Sequence, residues 1–382
     1  MTVEIVPVRS KADTDRFLRL PWQLYKGVDN WVPNPLLLQR DVISEKKNPF
    51  FEHGEAQLFL AVRDGVPSGR ISAQIDRRHV EHYHENTGFF GFYETVDDPE
   101  ISNALLTAAE DWLRQKGMDR ARGPLSFSQD EEAGLMVEGF EQPAMISMPQ
   151  GLPYYPSLIE SHGYEKAMDL LAYRWDIKEP PQRMMEAVEK TRAVPGLKLR
   201  QVNMGRLQED VDVMLDIYQQ AWSSNWGYVP LTRQAANKLA SDLRLIADPR
   251  LLLIAEINGE PAGFVIGLPN LYEATRDFNG FLDPWKAVKL IWRLKIRGVE
   301  TGRIFVFGVK PKFRGRDLVG LPFLLLYELY RAAQTRRYVW CEQSWVLENN
   351  ARLNALMPYW GAYVYKRFRI YEKSLTTSAG LT

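Results

Sequence analysis

One stretch of this chain occurs twice. Ala61-Val62-Arg63-Asp64-Gly65-Val66-Pro67-Ser68-Gly69 returns as Ala255-Glu256-Ile257-Asn258-Gly259-Glu260-Pro261-Ala262-Gly263, with Ala, Gly, Pro and Gly matched 194 residues apart. A second pair keeps the same order: Gly163 stands ten residues before Tyr173, and Gly361 stands ten before Tyr371, 198 residues further on. Ordered matches at nearly one offset indicate two copies of one domain. A chain of 382 residues has room for both, each with its own core. The copies can then be compared for which of them carries chemistry.

Composition narrows the classes. A hydrophobic fraction of 45% beside 25% charged residues is that of a globular protein. The net charge is zero, so no global field draws the chain to nucleic acid or lipid, and any such attraction is local. Without an extended basic face a nucleic-acid partner is disfavoured. Cys341 is the only cysteine, which excludes an internal disulfide framework and a thiolate metal cluster and points to a reducing, cytoplasmic setting. The start, Met1-Thr2-Val3-Glu4-Ile5, shows no basic segment followed by an apolar one. No apolar run approaches the roughly 20 residues that span a bilayer. The 11 tryptophans fit either large cores or a cavity for an apolar ligand.

The pattern predicts an α/β fold. In copy one, Ala56 to Val62 and Gly69 to Ile75 read as strands around the Asp64-Gly65 turn. Phe89 to Val96 is a further strand. A helix begins at Asp97-Asp98-Pro99-Glu100, carries Ile101, Leu105, Ala108, Trp112 and Leu113 on one face, and stops at Gly117. Ala121 to Phe127 reads as a strand, Tyr155 to His162 as a short helix, and Glu165 to Asp176 as a pair of strands. Glu179-Pro180-Pro181 breaks the pattern, and a helix over Gln182 to Arg192 bridges to Pro195-Gly196. Copy two shows helices over Glu209 to Trp222 and Arg233 to Ile246, then the repeated hairpin. A strand Ile304 to Val309, a helix Leu321 to Gln334, a strand Tyr338 to Trp345, a helix Asn350 to Trp360 and a terminal strand pair complete it. The expected domains are 1–178 and 197–376, with 179–196 as linker and 377–382 as a loose tail.

The segment Phe307-Gly308-Val309-Lys310-Pro311-Lys312-Phe313-Arg314-Gly315-Arg316-Asp317-Leu318 runs from a strand through a basic, glycine-bearing loop into a helix. Free backbone N–H groups and a helix N-terminus meet there, which makes an anion site. Lys312, Arg314 and Arg316 add charge suited to a pyrophosphate. Here the chain resembles the GNAT superfamily of acyl-CoA-dependent N-acyltransferases, whose signature Val-x-x-x-Tyr/Phe-Arg-Gly-x-Gly-Ile/Leu-Gly is matched at Val309, Phe313, Arg314, Gly315 and Leu318. It departs at Asp317 and Val319. Asp317 puts negative charge near a pyrophosphate, or caps the next helix. Asn350 lies eleven residues before Gly361, a spacing at which the resemblance implies an asparagine that meets the CoA arm. The tyrosine usual in that family, four residues before this glycine, falls on Met357. The resemblance implies two GNAT-like domains in tandem, each a mixed, mostly antiparallel sheet flanked by helices. Copy one has Asp97-Asp98-Pro99-Glu100 where the loop would be, so copy two alone is expected to bind acyl-CoA, with copy one serving the acceptor side or the structure only.

Three further segments are similar to a tandem-GNAT bacterial family that includes ceramide synthases: Gly88-Phe89-Phe90-Gly91-Phe92-Tyr93-Glu94, Glu138-Gly139-Phe140, and Glu342-Gln343-Ser344-Trp345-Val346-Leu347-Glu348-Asn349-Asn350. That resemblance implies transfer of a long-chain acyl group from CoA to the amine of a sphingoid base; the expected location is cytoplasmic, at the inner face of a membrane. A GNAT acetyltransferase acting on a small amine and a non-catalytic acyl-CoA-binding protein are the rival readings, the latter favoured by Asp317 and Met357.

Acyl transfer needs a base for the ammonium and an N–H for the thioester oxyanion. The N–H is expected near Gly308 or Val309, with Phe307 beside them. Glu342 is the expected base, with Glu348, Tyr359 and Tyr363 behind it. Pairing with an arginine is the alternative for Glu342. In segment 284–297, Lys286, Lys289, Arg293 and Arg297 share one side of a helix, and Trp285, Val288, Ile291, Trp292 and Ile296 lie away from them. This is the pattern of an interfacial helix, or of a packed helix with snorkelling stems. His79, His82 and His84, among Arg77, Arg78, Glu81 and Glu85, read as a solvated loop rather than a metal site. Cys341 reads as a small buried residue.

Overall fold

The computed structural model describes residues 2–127, 131–315 and 318–376. The chain forms two compact units. Unit one is Met1–Leu170 with Arg276–Leu282 and Lys366–Thr382, and unit two is Leu171–Thr275 with Asp283–Tyr365. The terminal strand thus serves unit one.

Unit one contains β1 (Val3–Pro7), α1 (Lys11–Leu24), α2 (Leu36–Val42), β2 (Gly54–Arg63), β3 (Val66–Asp76), α3 (Arg77–Tyr83), β4 (Thr87–Thr95), α4 (Pro99–Gln115), β5 (Arg120–Gly123), β6 (Leu135–Glu138), α5 (Tyr155–Ser161) and the start of β7 (Glu165–Asp176). Strands β1 to β5 lie side by side in order. All neighbours are antiparallel except β4 and β5. Alternation along β2 divides the core. Phe59 and Ala61 join Ile101, Leu105 and Leu113 of α4, while Leu60 and Val62 join Phe17 and Leu18 of α1.

Unit two contains the rest of β7, then α6 (Gln182–Arg192), β8 (Leu197–Gln201), α7 (Leu207–Trp222), α8 (Arg233–Leu243), β9 (Leu252–Ile257), β10 (Glu260–Pro269), α9 (Leu271–Thr275), α10 (Pro284–Trp292), β11 (Thr301–Val309), α11 (Leu321–Gln334), β12 (Trp340–Leu347), α12 (Ala351–Leu356) and the start of β13 (Tyr363–Ser374). Its strand order is β7-β12-β11-β10-β9-β8. Helix α11 covers one face and α7 the other, through Leu321, Leu324 and Leu325 on one side and Ile217 on the other. Helix α6 belongs to this core, with Met184 and Val188 buried in it.

The repeat is structural. Asp64-Gly65 and Asn258-Gly259 both turn with positive φ, 52° and 79° against 52° and 81°. That geometry suits a two-residue hairpin and favours glycine at its second place. Ala61 opposes Gly69 and Ala255 opposes Gly263, each hairpin with one extra residue, Ser68 or Ala262, past that pair. Gly163 and Gly361, at φ 87° and 75°, end the helical turns before the last strand of each copy.

Several expected elements differ. Glu165–Asp176 and Tyr363–Ser374 are single strands rather than pairs. The strand expected to reach Phe127 stops at Gly123, and Leu125 folds back so that its N–H donates to Phe90 O at 2.8 Å. Only glycine fits opposite, because a Cβ on Gly91 would sit 1.9 Å from Leu125 O. The histidine segment is a helix, not a solvated loop. His79 is buried there, 2.9 Å from Glu85 and edge-on to Phe89.

Candidate active site

Strand β11 carries a bulge. Ile266 opposes Val306 and Gly267 opposes Ile304, which leaves Phe305 unpaired. A bulge bends its strand. On its other edge β11 runs parallel to β12 for four pairs, Thr301 with Trp340 through Ile304 with Gln343, and the two strands then continue apart. Backbone groups of β11 beyond Ile304 therefore face a gap. Lys310 N donates to Ala262 O at 2.8 Å. Stepping back by alternation, the Gly308 and Val306 N–H groups also turn to β10, while those of Val309 and Phe307 turn away from it. Of the two N–H groups expected near the thioester, Gly308 is thus committed to the sheet and Val309 is not.

Neighbouring carbonyls in the gap are held by side chains. Trp222 Nε1 of α7 donates to Phe307 O at 3.2 Å. Arg314 Nε donates to Val309 O at 2.8 Å and its Nη2 to Ala221 O at 2.8 Å. Burial and the nearby Arg352 lower the pKa of Arg314. Arg314 therefore braces the loop. Lys312 pairs with Glu260 and lies over the Phe313 ring. Lys310 is buried and reaches Asp216 at 2.5 Å. That bond holds the Asp216 carboxyl below its usual range. Arg316 and Asp317 lie outside the described residues. Among its described residues, the loop offers an anion its backbone N–H groups. Phe313 and Leu318 pack on the core, Gly315 stands in open space, and the N-terminal turn of α11 follows at Leu321.

Asn350 is the N-cap of α12, its Oδ1 accepting from Leu353 N at 3.1 Å. Its Nδ2 has no hydrogen bond among the described residues, which leaves one donor for a ligand. Arg352 Nη2 reaches Arg314 O at 3.3 Å, so α12 and the loop meet. Copy one builds a different corner. Asp98 caps α4 and pairs with Arg63 at 2.5 Å.

Glu342 is 0% exposed. Its Oε1 accepts from Ser344 Oγ and lies 3.6 Å from Arg303 Nε, and its Oε2 accepts from Tyr365 OH. Arg303 Nε also donates to Ser344 Oγ at 2.9 Å. Burial, then the Glu342 charge, pushes the Tyr365 hydroxyl well above its ordinary value. The expected arginine partner and the expected base are thus one arrangement. Glu342 and Val309 are not brought together. Arg303 opposes Glu342, and Val309 stands six residues further along β11, roughly 15–20 Å at a strand's rise per residue. Glu348 is half-buried, Tyr359 and Tyr363 are exposed, and Met357 and Cys341 are core residues. Burial pushes the Cys341 thiol far up, which leaves it inert. Arg303, Ser344 and Tyr365 escaped the sequence reading. Their only signal was the odd appearance of an arginine and a glutamate inside apolar strands.

A bulged strand, a parallel neighbour that parts from it, and a loop-helix corner at its end define the GNAT fold, here in tandem. No protein-family profile matches the chain. It is 41% identical over 384 residues to the bacterial ceramide synthase of Caulobacter vibrioides (strain NA1000 / CB15N), covering 98% of each chain. It is 37% identical over 372 residues to protein YghO of Escherichia coli (strain K12), covering 96% of this chain and 94% of that one. Among solved structures it resembles a tandem GNAT protein from the clavulanic acid biosynthesis pathway, with a TM-score of 0.59 at 13% identity over 99% of this chain and all of the other. It also resembles a GCN5-related N-acetyltransferase from Sphaerobacter thermophilus, with a TM-score of 0.53 at 17% identity over 99% and 98%. The chain belongs to the family of the bacterial ceramide synthase, and it is an N-acyltransferase.

Proposed function

We propose that this enzyme transfers a long-chain acyl group from CoA to the amine of a sphingoid-type base. The observation that carries the reading is the gap beside β11, where the Phe307 and Val309 N–H groups turn away from β10. A thioester there is met by backbone donors, which suits an oxyanion. The loop Lys312 to Leu318, the α11 N-terminus and Asn350 Nδ2 would hold the CoA end. The amine nitrogen attacks the thioester carbon, the C–N bond forms, the C–S bond breaks, and the thiolate leaves and takes its proton from solvent. With the thioester at the Phe307 N–H, two residues past the level of Ser344 or roughly 7 Å, the amine's proton passes through a bridging water to the Ser344 hydroxyl as that hydroxyl gives its own to Glu342. Glu342 is buried, so it acts through Ser344 rather than on the amine directly. The two copies are proposed to span 1–178 and 197–376 as repeats, joined by 179–196. The offsets of the hairpins and of Gly163 and Gly361 support this.

An amide-forming assay with sphinganine tests the reading. Palmitoyl-CoA should give a kcat/KM at least tenfold above acetyl-CoA, and palmitoyl-CoA alone should raise Tm more than acetyl-CoA does. Equal rates with acetyl-CoA and a small amine would move the substrate class to the first rival. No turnover and no shift would leave a binding protein.

A lipid acceptor gives α10 a purpose. Asp283 caps it, and a π turn, Arg293–Arg297, extends it. Its apolar side faces outward, with Trp285 84%, Val288 61% and Ile296 73% exposed. Arg293 and Lys295 donate inward, to Ala274 O at 2.7 Å and Ala247 O at 2.6 Å, while Lys289 and Arg297 are exposed beside the apolar residues. Outward indoles flanked by cations suit an anionic membrane face. Among the described residues no helix is long and apolar enough to cross a membrane. The protein should co-sediment with phosphatidylglycerol-containing vesicles, and Trp285→Glu with Ile296→Glu should cut the bound fraction about tenfold. Undiminished binding by the double variant would remove α10 from the membrane reading.

A further inference from the structure

The segment Gly88 to Glu94 is left without a role by the reaction above, and it ends in an unusual carboxylate. Arg70 opposes Glu94 and Ser72 opposes Gly91, so Phe92 and Tyr93 together face Ile71. Phe92 turns at φ 47°. This bulge re-aims the side chains beyond it, and a pocket opens within unit one. Trp22, Trp31, Arg70, Phe92, Glu94 and Glu132 are among the residues that line it.

Arg70 is partly engaged elsewhere, and its Nε is buried without a hydrogen-bond partner among the described residues. Its Nη1 donates to Phe17 O at 2.9 Å, and its guanidinium lies over the Phe17 ring. Its Nη2 reaches Glu94 Oε1 at a long 3.3 Å. Glu94 Oε2 is buried and has no hydrogen-bond partner among the described residues. An unmet acceptor costs about 1–3 kcal/mol, and more when charged. A donor supplied by a ligand removes that penalty. The lining carries two carboxylates against one guanidinium, so it is complementary to a single positive charge. The two indoles and Phe92 offer apolar and cation-attracting walls.

We propose that unit one binds a primary ammonium carried on an apolar chain, with Glu94 as its counter-ion and with no contribution from the acyl-CoA loop of unit two. Such an amine has the chemistry of an acyl acceptor and equally of an effector held apart from the reaction. The binding claim stands without the acyl-transfer reading. Desolvation pushes the Glu94 carboxyl up to about 7, against the pull of Arg70 and with the help of Glu132. Three tyrosines also face it: burial raises Tyr25 and Tyr155 far above the ordinary tyrosine value and Tyr154 to about 12, and the Tyr155 hydroxyl, itself without a settled partner among the described residues, pulls the carboxyl down. Amine binding should therefore strengthen as pH rises from 5.5 to 8, where the ligand stays cationic and Glu94 ionises.

The experiment titrates the full chain with dodecylamine and with dodecanol, below their aggregation limits, reading tryptophan fluorescence and calorimetry. The amine should bind at least tenfold tighter than the alcohol. Glu94→Gln should remove that preference, and Glu132→Gln should reduce it. Equal binding of amine and alcohol to the wild type overturns the proposal without any variant, as does an unchanged preference in a folded Glu94→Gln protein. Steady-state acylation then separates the two sources. A KM for the amine that rises in Glu94→Gln marks the acceptor, and an unchanged KM with lost binding marks the effector. Palmitoyl-CoA stabilisation should be the same in wild type and Glu94→Gln, so loss of the acyl-CoA reading leaves this result intact.

Discussion

Ser344→Ala should lower kcat for amide formation by 10²–10⁴, the range that general acid–base groups contribute, while costing only about 1 kcal/mol of stability. The hydroxyl sits between the Arg303 guanidinium and the Glu342 carboxylate, accepting from one and donating to the other. Removing it leaves the Arg303–Glu342 ion pair in place. Glu342→Ala is a different experiment. It strips the carboxylate from a buried guanidinium and from Tyr365, and an uncompensated buried charge of that kind costs about 3–5 kcal/mol. A denaturant midpoint that falls in Glu342→Ala but hardly moves in Ser344→Ala would separate the two roles. If Ser344→Ala retains the wild-type kcat, no proton passes along this route, and Glu342 is only the partner of Arg303.

That contrast also shows what the sequence could reveal. Glu342 was legible as an important residue because a carboxylate in an apolar strand demands a partner. Its neighbours were not legible. Arg303 lies 39 residues away, and only the parallel register of β11 and β12 makes them face each other. The hairpins were legible for a local reason. Asp64-Gly65 and Asn258-Gly259 need positive φ, and that need is written in the residues themselves. The bulge at Phe305 has no such mark, since it exists only in how two strands are paired. The last strand of each copy is one run of twelve residues, longer than the usual strand, and nothing in its sequence marks it as unbroken. The pocket around Glu94 was invisible for the reason Arg303 was. Its walls come from α1, from the turn holding Trp31, and from strands joined by long-range pairing.

Charge in the loop does not translate directly into phosphate ligands. Counting Lys312, Arg314 and Arg316 suggested three phosphate ligands, yet Lys312 is paired with Glu260 and Arg314 grips two carbonyls. A sequence displays cations and conceals what has already neutralised or enlisted them. The consequence is testable. Arg314→Ala should destabilise the ligand-free enzyme by about 2–3 kcal/mol, because two charge-assisted hydrogen bonds are lost and the buried carbonyls of Val309 and Ala221 are left unmet. The Tm rise on adding palmitoyl-CoA should fall with it, since Val309 is where the loop leaves β11. Arg314→Lys should fare almost as badly, because an ammonium cannot bridge two carbonyls in the fixed fork of a guanidinium. A phosphate contact predicts the reverse pattern. The ligand-free Tm would then be unchanged, the Lys variant would recover most of the palmitoyl-CoA shift, and the deficit would shrink with added salt as screened charges do. Ligand-free melting of the two variants decides between these before any substrate is added. An unchanged Tm in Arg314→Ala would return this arginine to the pyrophosphate.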